Sequence, residues 1–419
     1  MSFDTRTEDS IIPEPVSRRK AMGAFGHRDY VLFWIGLLIS AAGSWMQSLA
    51  LGWLVYDLTN SKIMLGAVTA AGTIPVFLIT LHAGVIADRF NKRRIVIVTQ
   101  TLLTVQASIL AAIALTHVIQ VWHILALASF AGLVNAFDMP ARQAMTIELV
   151  GKDDLLSAVS LNSSAFNLSR IIGPAIAGVI LAISNAGVCF LVNAISFLAI
   201  IFMLLVIRPA ASRPSGADES MVAQIREGLG YIRGNRLVLD MIVMTGVGGL
   251  FAFQYATLMP ALARDVLHGG PGTLGALVSS AGAGALAAAV SVAALGHLFK
   301  QGRIVILGSL ILPVGMAALA LSRNFHLSLG CMVVTGFGMM LFLAVSNSLI
   351  QIMPPEHLRG RVLSVRTLVF IGFAPIGALL AGTLAQFAGV RAAILMGALV
   401  FLATSIFVIL FSPALRSVD

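Results

Sequence analysis

A short charge cluster separates two long apolar stretches near position 90. It contains Gly84 and Asp88, and four basic residues complete it: Arg89, Lys92, Arg93 and Arg94. A carboxylate at this spacing could cap a neighbouring helix or pair with an arginine. An ordinary basic loop would need the bases, but not the glycine and the carboxylate. No nucleophile–base set or clustered metal-ligand motif accompanies the cluster, so we expect neither an enzyme nor a metal site.

Two ionisable side chains fall well inside apolar stretches, where a charge is costly. Arg170 stands about 22 Å along its helix, near the middle of a bilayer. We expect it to face a wet cavity as a substrate contact, or the bundle interior as a structural cation. Asp138 precedes Arg142 by one helical turn, and the two could pair if Pro140 does not distort that turn.

Proton carriage has two candidates in the sequence. One is Asp138, for which a structural ion pair is an equally good interpretation. The other is His82, because an imidazole with a pKa of about 6.5 suits a proton relay, although a satisfied core histidine is the commoner case. The first apolar stretch contains Gln47 but no acid.

Amide side chains recur in apolar stretches that we assign to the first, fourth, fifth, seventh and tenth helices. Interhelical hydrogen bonding explains each of them singly. Together with the aromatic content they suggest a cavity for an amphipathic ligand. The candidates, beside Arg170, are Gln47, Asn135, Asn162, Asn167, Gln254 and Asn347.

The composition is that of a chain surrounded by lipid. Hydrophobic residues make up 58% of it and charged residues 11%, whereas a soluble surface needs roughly a quarter of its residues charged. A spanning helix needs about 20 mostly apolar residues, and backbone groups in lipid must pair internally. We therefore predict an all-α integral membrane protein. The apolar runs are 30–56, 63–87, 95–116, 121–141, 155–183, 187–207, 237–262, 273–296, 304–321, 327–353, 360–386 and 391–412.

The distribution of basic residues predicts the orientation. With both termini cytoplasmic, 22 of the 27 Lys and Arg residues fall on the inner side and four on the outer side, and Arg170 lies within a span. The net charge of +9 comes from short clusters and not from one basic stripe, so we expect no nucleic-acid partner. The expected partners are the lipid bilayer and a small-molecule substrate, and we expect a monomer.

The two halves of the chain resemble each other. The triplet Leu65-Gly66-Ala67 recurs 209 positions later, as do Phe90 at Phe299 and Arg94 at Arg303. Such repeats are typical of transporters with a central site. We divide the chain into a tail (1–29), a six-helix half (30–207), a linker with an amphipathic helix (208–236), a second half (237–412) and a second tail (413–419). Cys189 and Cys331 are predicted to be buried packing residues.

The cluster at Gly84–Arg94 resembles the signature loop of the major facilitator superfamily. The resemblance implies two pseudo-symmetric six-helix bundles, and it implies that Gly84, Asp88 and the four bases act as a conformational latch. Asn91 replaces the usual glycine and is expected to tolerate a left-handed turn. His297 and Leu298 occupy the second-half positions of Asp88 and Arg89, so the latch is expected on one side only.

A second motif, Ser169, Gly173, Pro174 and Gly178, resembles the antiporter motif of superfamily exporters. Together with the segments at Tyr56–Ser61 and Asp138–Ala144, it is similar to the drug:proton antiporter branch, which includes enterobactin and macrolide exporters. The resemblance implies export of a siderophore- or drug-like molecule across a bacterial inner membrane, in exchange for protons and without a cofactor. A lysophospholipid flippase and a nutrient permease remain alternatives.

Overall fold

The computed structural model describes residues 23–151, 153–207, 221–412 and 415. For 81–82, 85–89, 221–225 and 297 it describes the backbone alone. Most of the predicted N-terminal tail, the linker segment 208–220 and most of the C-terminal tail therefore lie outside the described residues.

Among the described residues, twelve helices are long and apolar enough to cross a membrane, and they confirm the predicted number of spans. The face at which the first of them begins and the last ends is called the terminal face, and the other is called the far face. The helices are α1 Arg28–Thr59, α2 Lys62–Arg89, α3 Lys92–Leu115, α4 Val121–Val150, α5 Leu155–Ile183, α6 Ala186–Val206, α7 Arg236–Val266, α8 Pro271–Leu295, α9 Gln301–Leu321, α10 Phe325–Ile352, α11 Glu356–Ala388 and α12 Val390–Phe411.

Helix α4 continues well beyond its predicted bound. The prediction that α4 ends at 141 is wrong, because Met145 and Val150 extend its buried stripe into a core cluster with residues of α1, α3 and α6. Helix α11 begins four residues earlier than predicted, at Glu356. Arg142, which the predicted bound leaves outside the fourth helix, consequently lies inside α4.

The helices form the two six-helix bundles of the major facilitator fold. In the first bundle α1 packs against α5 and α6, α2 against α4, and α3 against α6. In the second bundle α8 and α9 pack against α10, and α9 packs against α12. Both predicted packing cysteines are buried, Cys189 in α6 and Cys331 in α10.

The two bundles meet along two helix pairs, α2 with α11 and α5 with α8. Glycines allow the close approach in each pair. A Cβ atom on Gly66 of α2 would come within 2.4 Å of the Ala378 carbonyl oxygen, and one on Gly275 of α8 within 2.7 Å of the Pro174 carbonyl oxygen. Any side chain at these positions would push the bundles apart.

Helix α7 is irregular near its middle. A π-helical turn at Gly248–Ala252 is followed by a 3-10 turn at Phe253–Leu258. The Gln254 side chain donates a hydrogen bond to the Gly249 carbonyl oxygen at 2.8 Å, which partly satisfies the interrupted backbone. Irregular helical turns of this kind are frequent at functional sites.

The predicted amphipathic linker helix is present at Met221–Gly234, and it packs on the terminal-face end of α11. Glu227 pairs with Arg361, and the Tyr231 hydroxyl donates to the Met353 carbonyl oxygen at 3.1 Å. The linker helix is therefore held against the second bundle.

Candidate functional site

A far-face cluster of charged residues joins the two bundles where α1 and α2 meet α7. Asp265 lies 2.9 Å from the Lys62 ammonium and accepts a 2.6 Å hydrogen bond from the Tyr56 hydroxyl. Arg264 donates to Asp57 at 3.0 Å. The Tyr56 ring is almost fully buried and lies between the two cations, 5.7 Å from Lys62 and 5.9 Å from Arg264.

The far-face cluster was not among the predicted site residues. The sequence does contain a pattern that could have indicated this cluster. Asp57 and Arg264 have opposite charges and stand 207 positions apart, close to the repeat offset, at the ends of equivalent helices. Its less exposed pair, Lys62 with Asp265, is expected to contribute more than the Asp57–Arg264 pair, since water screens exposed pairs.

The two bundles diverge towards the terminal face. A cavity of about 210 Å³ lies between α2 and α11, lined by Phe77 and Thr80 on one side and by residues 363–371 on the other. A Cβ atom on Gly84 would meet nothing within 4 Å. Gly84 therefore makes no close contact with another helix among the described residues in this conformation.

A central cluster surrounds Arg170 between the two bundles. Its guanidinium lies 5.7 Å from the ring centroid of Trp45 in α1 and close enough to the Tyr255 hydroxyl in α7 to interact with it. Phe166, one turn before Arg170, meets Trp45 edge to face at 5.7 Å and is half exposed. One cation and three aromatic rings, from both bundles, therefore share one position deep in the membrane.

Asp138 is buried inside the first bundle. It accepts hydrogen bonds from Thr99 at 2.6 Å and from Gln100 at 3.0 Å, both on α3. Its other oxygen lies 2.5 Å from Arg142 Nε, so Pro140 does not prevent the anticipated ion pair. Thr99 and Gln100 were not predicted as site residues, and nothing in their spacing marks them.

The predicted cavity amides fall into two groups. Five of them, Asn347 included, bond within a single bundle. Gln47 bonds Gln106 and Asn193, Asn162 bonds Tyr30 and Thr146, Asn167 donates to the Ser163 carbonyl oxygen, and Gln254 donates to that of Gly249. In the described part of the chain, Asn135 has no hydrogen-bond partner.

The sixth amide, Asn347, accepts a 2.7 Å hydrogen bond from Arg366. Arg366 lies ten residues, or about 15 Å, from the terminal-face end of α11. Its Nε is buried without a hydrogen-bond partner among the described residues. Asn347 stands 209 positions after Asp138, so the second bundle holds an amide where the first holds a carboxylate.

The predicted latch segment spans the α2–α3 turn. The side chains of Asp88 and Arg89, like that of His82, lie outside the described residues. Asn91 caps α3 by accepting from the Arg94 backbone N–H at 3.1 Å, and its φ of −65° shows that no left-handed turn is needed there. Arg93 donates to the Leu204 carbonyl oxygen at 2.6 Å, and Lys92 lies 3.7 Å from Glu148.

The antiporter-like motif presents two faces of α5. Ser169 donates to the Leu38 carbonyl oxygen of α1 at 3.1 Å, and a Cβ atom on Gly173 would come within 2.5 Å of the Ala42 carbonyl oxygen. Pro174 and Gly178 meet Gly275 of α8 instead. The small residues thus allow α5 to pack closely against α1 of its own bundle and, on its other face, against α8 of the second bundle.

Two paired bundles, a central cluster between them and a charge cluster across one face define a membrane transporter of the major facilitator kind. The solved structure of a nucleoside transporter NupG mutant has the same fold, with a TM-score of 0.77 at 11% identity over 92% of this chain and 100% of NupG. The model of the transmembrane secretion effector family matches residues 20–419, and the chain belongs to that family.

Curated relatives of this chain are bacterial efflux transporters. The chain is 29% identical to the multidrug efflux pump Tap of Mycolicibacterium fortuitum over 398 residues. This match covers 93% of this chain and 97% of Tap. It is 26% identical over 372 residues to the staphyloferrin A transporter of Staphylococcus aureus, which covers 87% of this chain and 92% of the relative. This chain is therefore an efflux transporter of the major facilitator type.

Proposed function

We propose that this protein exports an amphipathic small molecule, drug-like or siderophore-like, across a bacterial inner membrane in exchange for protons. The observation that carries the proposal is the central cluster, because Arg170 and its aromatic neighbours offer one charge and a large apolar surface. Such a site suits a ligand with a flat apolar body and a polar or acidic group. Asn135 is retained as a second proposed polar contact.

The positions of the contacts between the bundles support a mechanism of alternating access. Ion pairs close the far face, while α2 and α11 separate towards the terminal face. In the proposed orientation the terminal face is cytoplasmic, so a substrate would enter the central cluster from the cytoplasm. Opening the far-face cluster and closing the latch segment would then expose the substrate to the other side.

Asp138 is the proposed proton carrier. A proton on this carboxylate would release Arg142. It would also change the hydrogen bonds that Asp138 accepts from Thr99 and Gln100, and with them the packing of α3. Asp138 lies inside the first bundle and not beside Arg170. Coupling would therefore act through the conformation of the bundle and not through direct competition with substrate.

Transport into everted vesicles tests the proposal. Vesicles that contain the protein should accumulate at least one of ethidium, erythromycin and staphyloferrin A when a pH gradient, acidic inside, is imposed, and each addition should dissipate part of that gradient. Empty vesicles serve as the control. Accumulation without a pH response would retire proton exchange but keep export, and no accumulation in any arm would remove the proposed substrate class.

The substitution Arg170→Ala is expected to raise the KM of the transported compound about tenfold or more, because a hydrogen bond to a charged group contributes about 1.5–3 kcal/mol. Arg170→Lys should have an intermediate effect, since it keeps the charge and loses the planar group that lies against Trp45. The thermal midpoint of both variants should stay near that of the wild type. An unchanged KM would make Arg170 a structural cation.

A further inference from the structure

The second-half counterpart of the latch segment lacks the acid of that segment and the base next to it, but it keeps two of the other residues. His297 and Leu298 replace Asp88 and Arg89, yet Phe299 and Arg303 match Phe90 and Arg94. Retaining an aromatic ring and a base without the acid does not serve an ion-pair latch. These two residues therefore need another explanation.

In the structure, Phe299 and Arg303 line one apolar groove. The groove lies between the terminal-face ends of α8 and α9 and one side of α10, and it encloses about 170 Å³. Leu295, Leu307 and Phe337 also line it. About half of the surface of Leu295, Phe299 and Leu307 is exposed. Exposed apolar side chains on spanning helices face lipid, so the groove opens towards the bilayer.

The depth of the groove matches one leaflet. Arg303 is the third residue of α9, which places it about 3 Å from the terminal-face end of that helix. Phe337, at the other end of the groove, is about 22 Å from the terminal-face end of α10. The groove therefore runs from the headgroup level into the acyl-chain region of a hydrocarbon core about 30 Å thick.

Arg303 brings a positive charge to the rim of the groove, and no acidic residue lies near it in sequence. Between Asp265 and Glu356 the chain contains no acidic residue, and this interval includes all of α8, α9 and α10. Lys300, immediately before α9, is exposed at the same level as Arg303. A base at the level of the headgroups is complementary to an anionic lipid.

We propose that this groove binds an anionic phospholipid of the leaflet at the terminal face, with one acyl chain in the groove and the phosphate at Arg303. The site holds a lipid against α8 and α9 of the second bundle, where the latch acid is missing. It is separate from the central cluster, and the proposal does not depend on the exported substrate or on proton exchange.

Thermal unfolding of the purified full chain in dodecyl maltoside tests the site. Dioleoylphosphatidylglycerol should raise the midpoint by about 3 °C more than dioleoylphosphatidylcholine with the same chains. Arg303→Gln should remove this difference, and Arg303→Lys should keep most of it. The matched control is Arg323→Gln, which removes an exposed base near the far-face end of the same helix and should leave the difference unchanged.

A second variant separates the contribution of the lipid's acyl chain from that of its charge. Leu307→Trp fills the groove and leaves Arg303 in place, and it should also abolish the preference for phosphatidylglycerol. Glycerol 3-phosphate, which has no acyl chain, should not stabilise the protein. The proposal is overturned if Arg303→Gln and Leu307→Trp both keep the wild-type preference, or if glycerol 3-phosphate alone reproduces the full shift.

Discussion

Replacing Asp138 by Asn is expected to abolish proton-driven export and to destabilise the protein. The substitution removes the only carboxylate in contact with Arg142 among the described residues and leaves a cation in the bundle interior. Removing one partner of a buried pair costs about 3–5 kcal/mol. Thermal unfolding and transport in everted vesicles measure the two effects.

The double variant Asp138→Asn with Arg142→Gln distinguishes coupling from structure. It removes both charges, so most of the lost stability should return, whereas export should not. If Asp138 were only half of a structural pair, the double variant would export at the wild-type rate. That result would end the proposed role of Asp138 in proton exchange.

Reversing one charge in the far-face cluster is expected to lower export about tenfold. Lys62→Asp would place two carboxylates together beside Tyr56 and favour separation of the bundles at the far face. A change of about 1.4 kcal/mol in this equilibrium is enough for a tenfold effect. Asp265→Lys should act in the same way, and export rates at matched protein levels measure both.

The exchanged pair, Lys62→Asp with Asp265→Lys, should restore most of the export that either single reversal loses. Arg264→Gln is the matched control, because its pair with Asp57 is exposed and is expected to contribute less than about 1 kcal/mol. If the exchanged variant loses as much export as the single variants do, attraction between Lys62 and Asp265 does not explain the effect of these charges.

Hydropathy was sufficient to predict the number of spanning helices, whereas the two-bundle fold was predicted from the family resemblance. Twelve apolar runs predicted twelve helices, because every backbone group in lipid must pair within its own helix. The bounds of α4 could not be predicted, since its last two turns are stabilised by burial of Met145 and Val150 against other helices and not by lipid.

The central cluster was predictable in part. The position of a lone arginine at mid-membrane depth predicted a role for Arg170. Its neighbours Trp45 and Tyr255 could not be predicted, because they depend on how α1, α5 and α7 meet, and no local pattern encodes that. The amides show the same limit. Gln47 and Asn135 have similar surroundings in sequence, yet the Gln47 side chain bonds α3 and α6 while Asn135 has no partner in the described chain.

The most direct test of alternating access is to measure distances across both faces of one protein. In a chain with Cys189 and Cys331 replaced by Ser, spin labels at Leu58 and His268 report on the far face, and labels at Leu156 and Leu298 report on the terminal face. Introducing Lys62→Asp should lengthen the far-face distance and shorten the terminal-face distance. A longer far-face distance with an unchanged terminal-face distance would contradict the rocking of two rigid bundles about the central cluster.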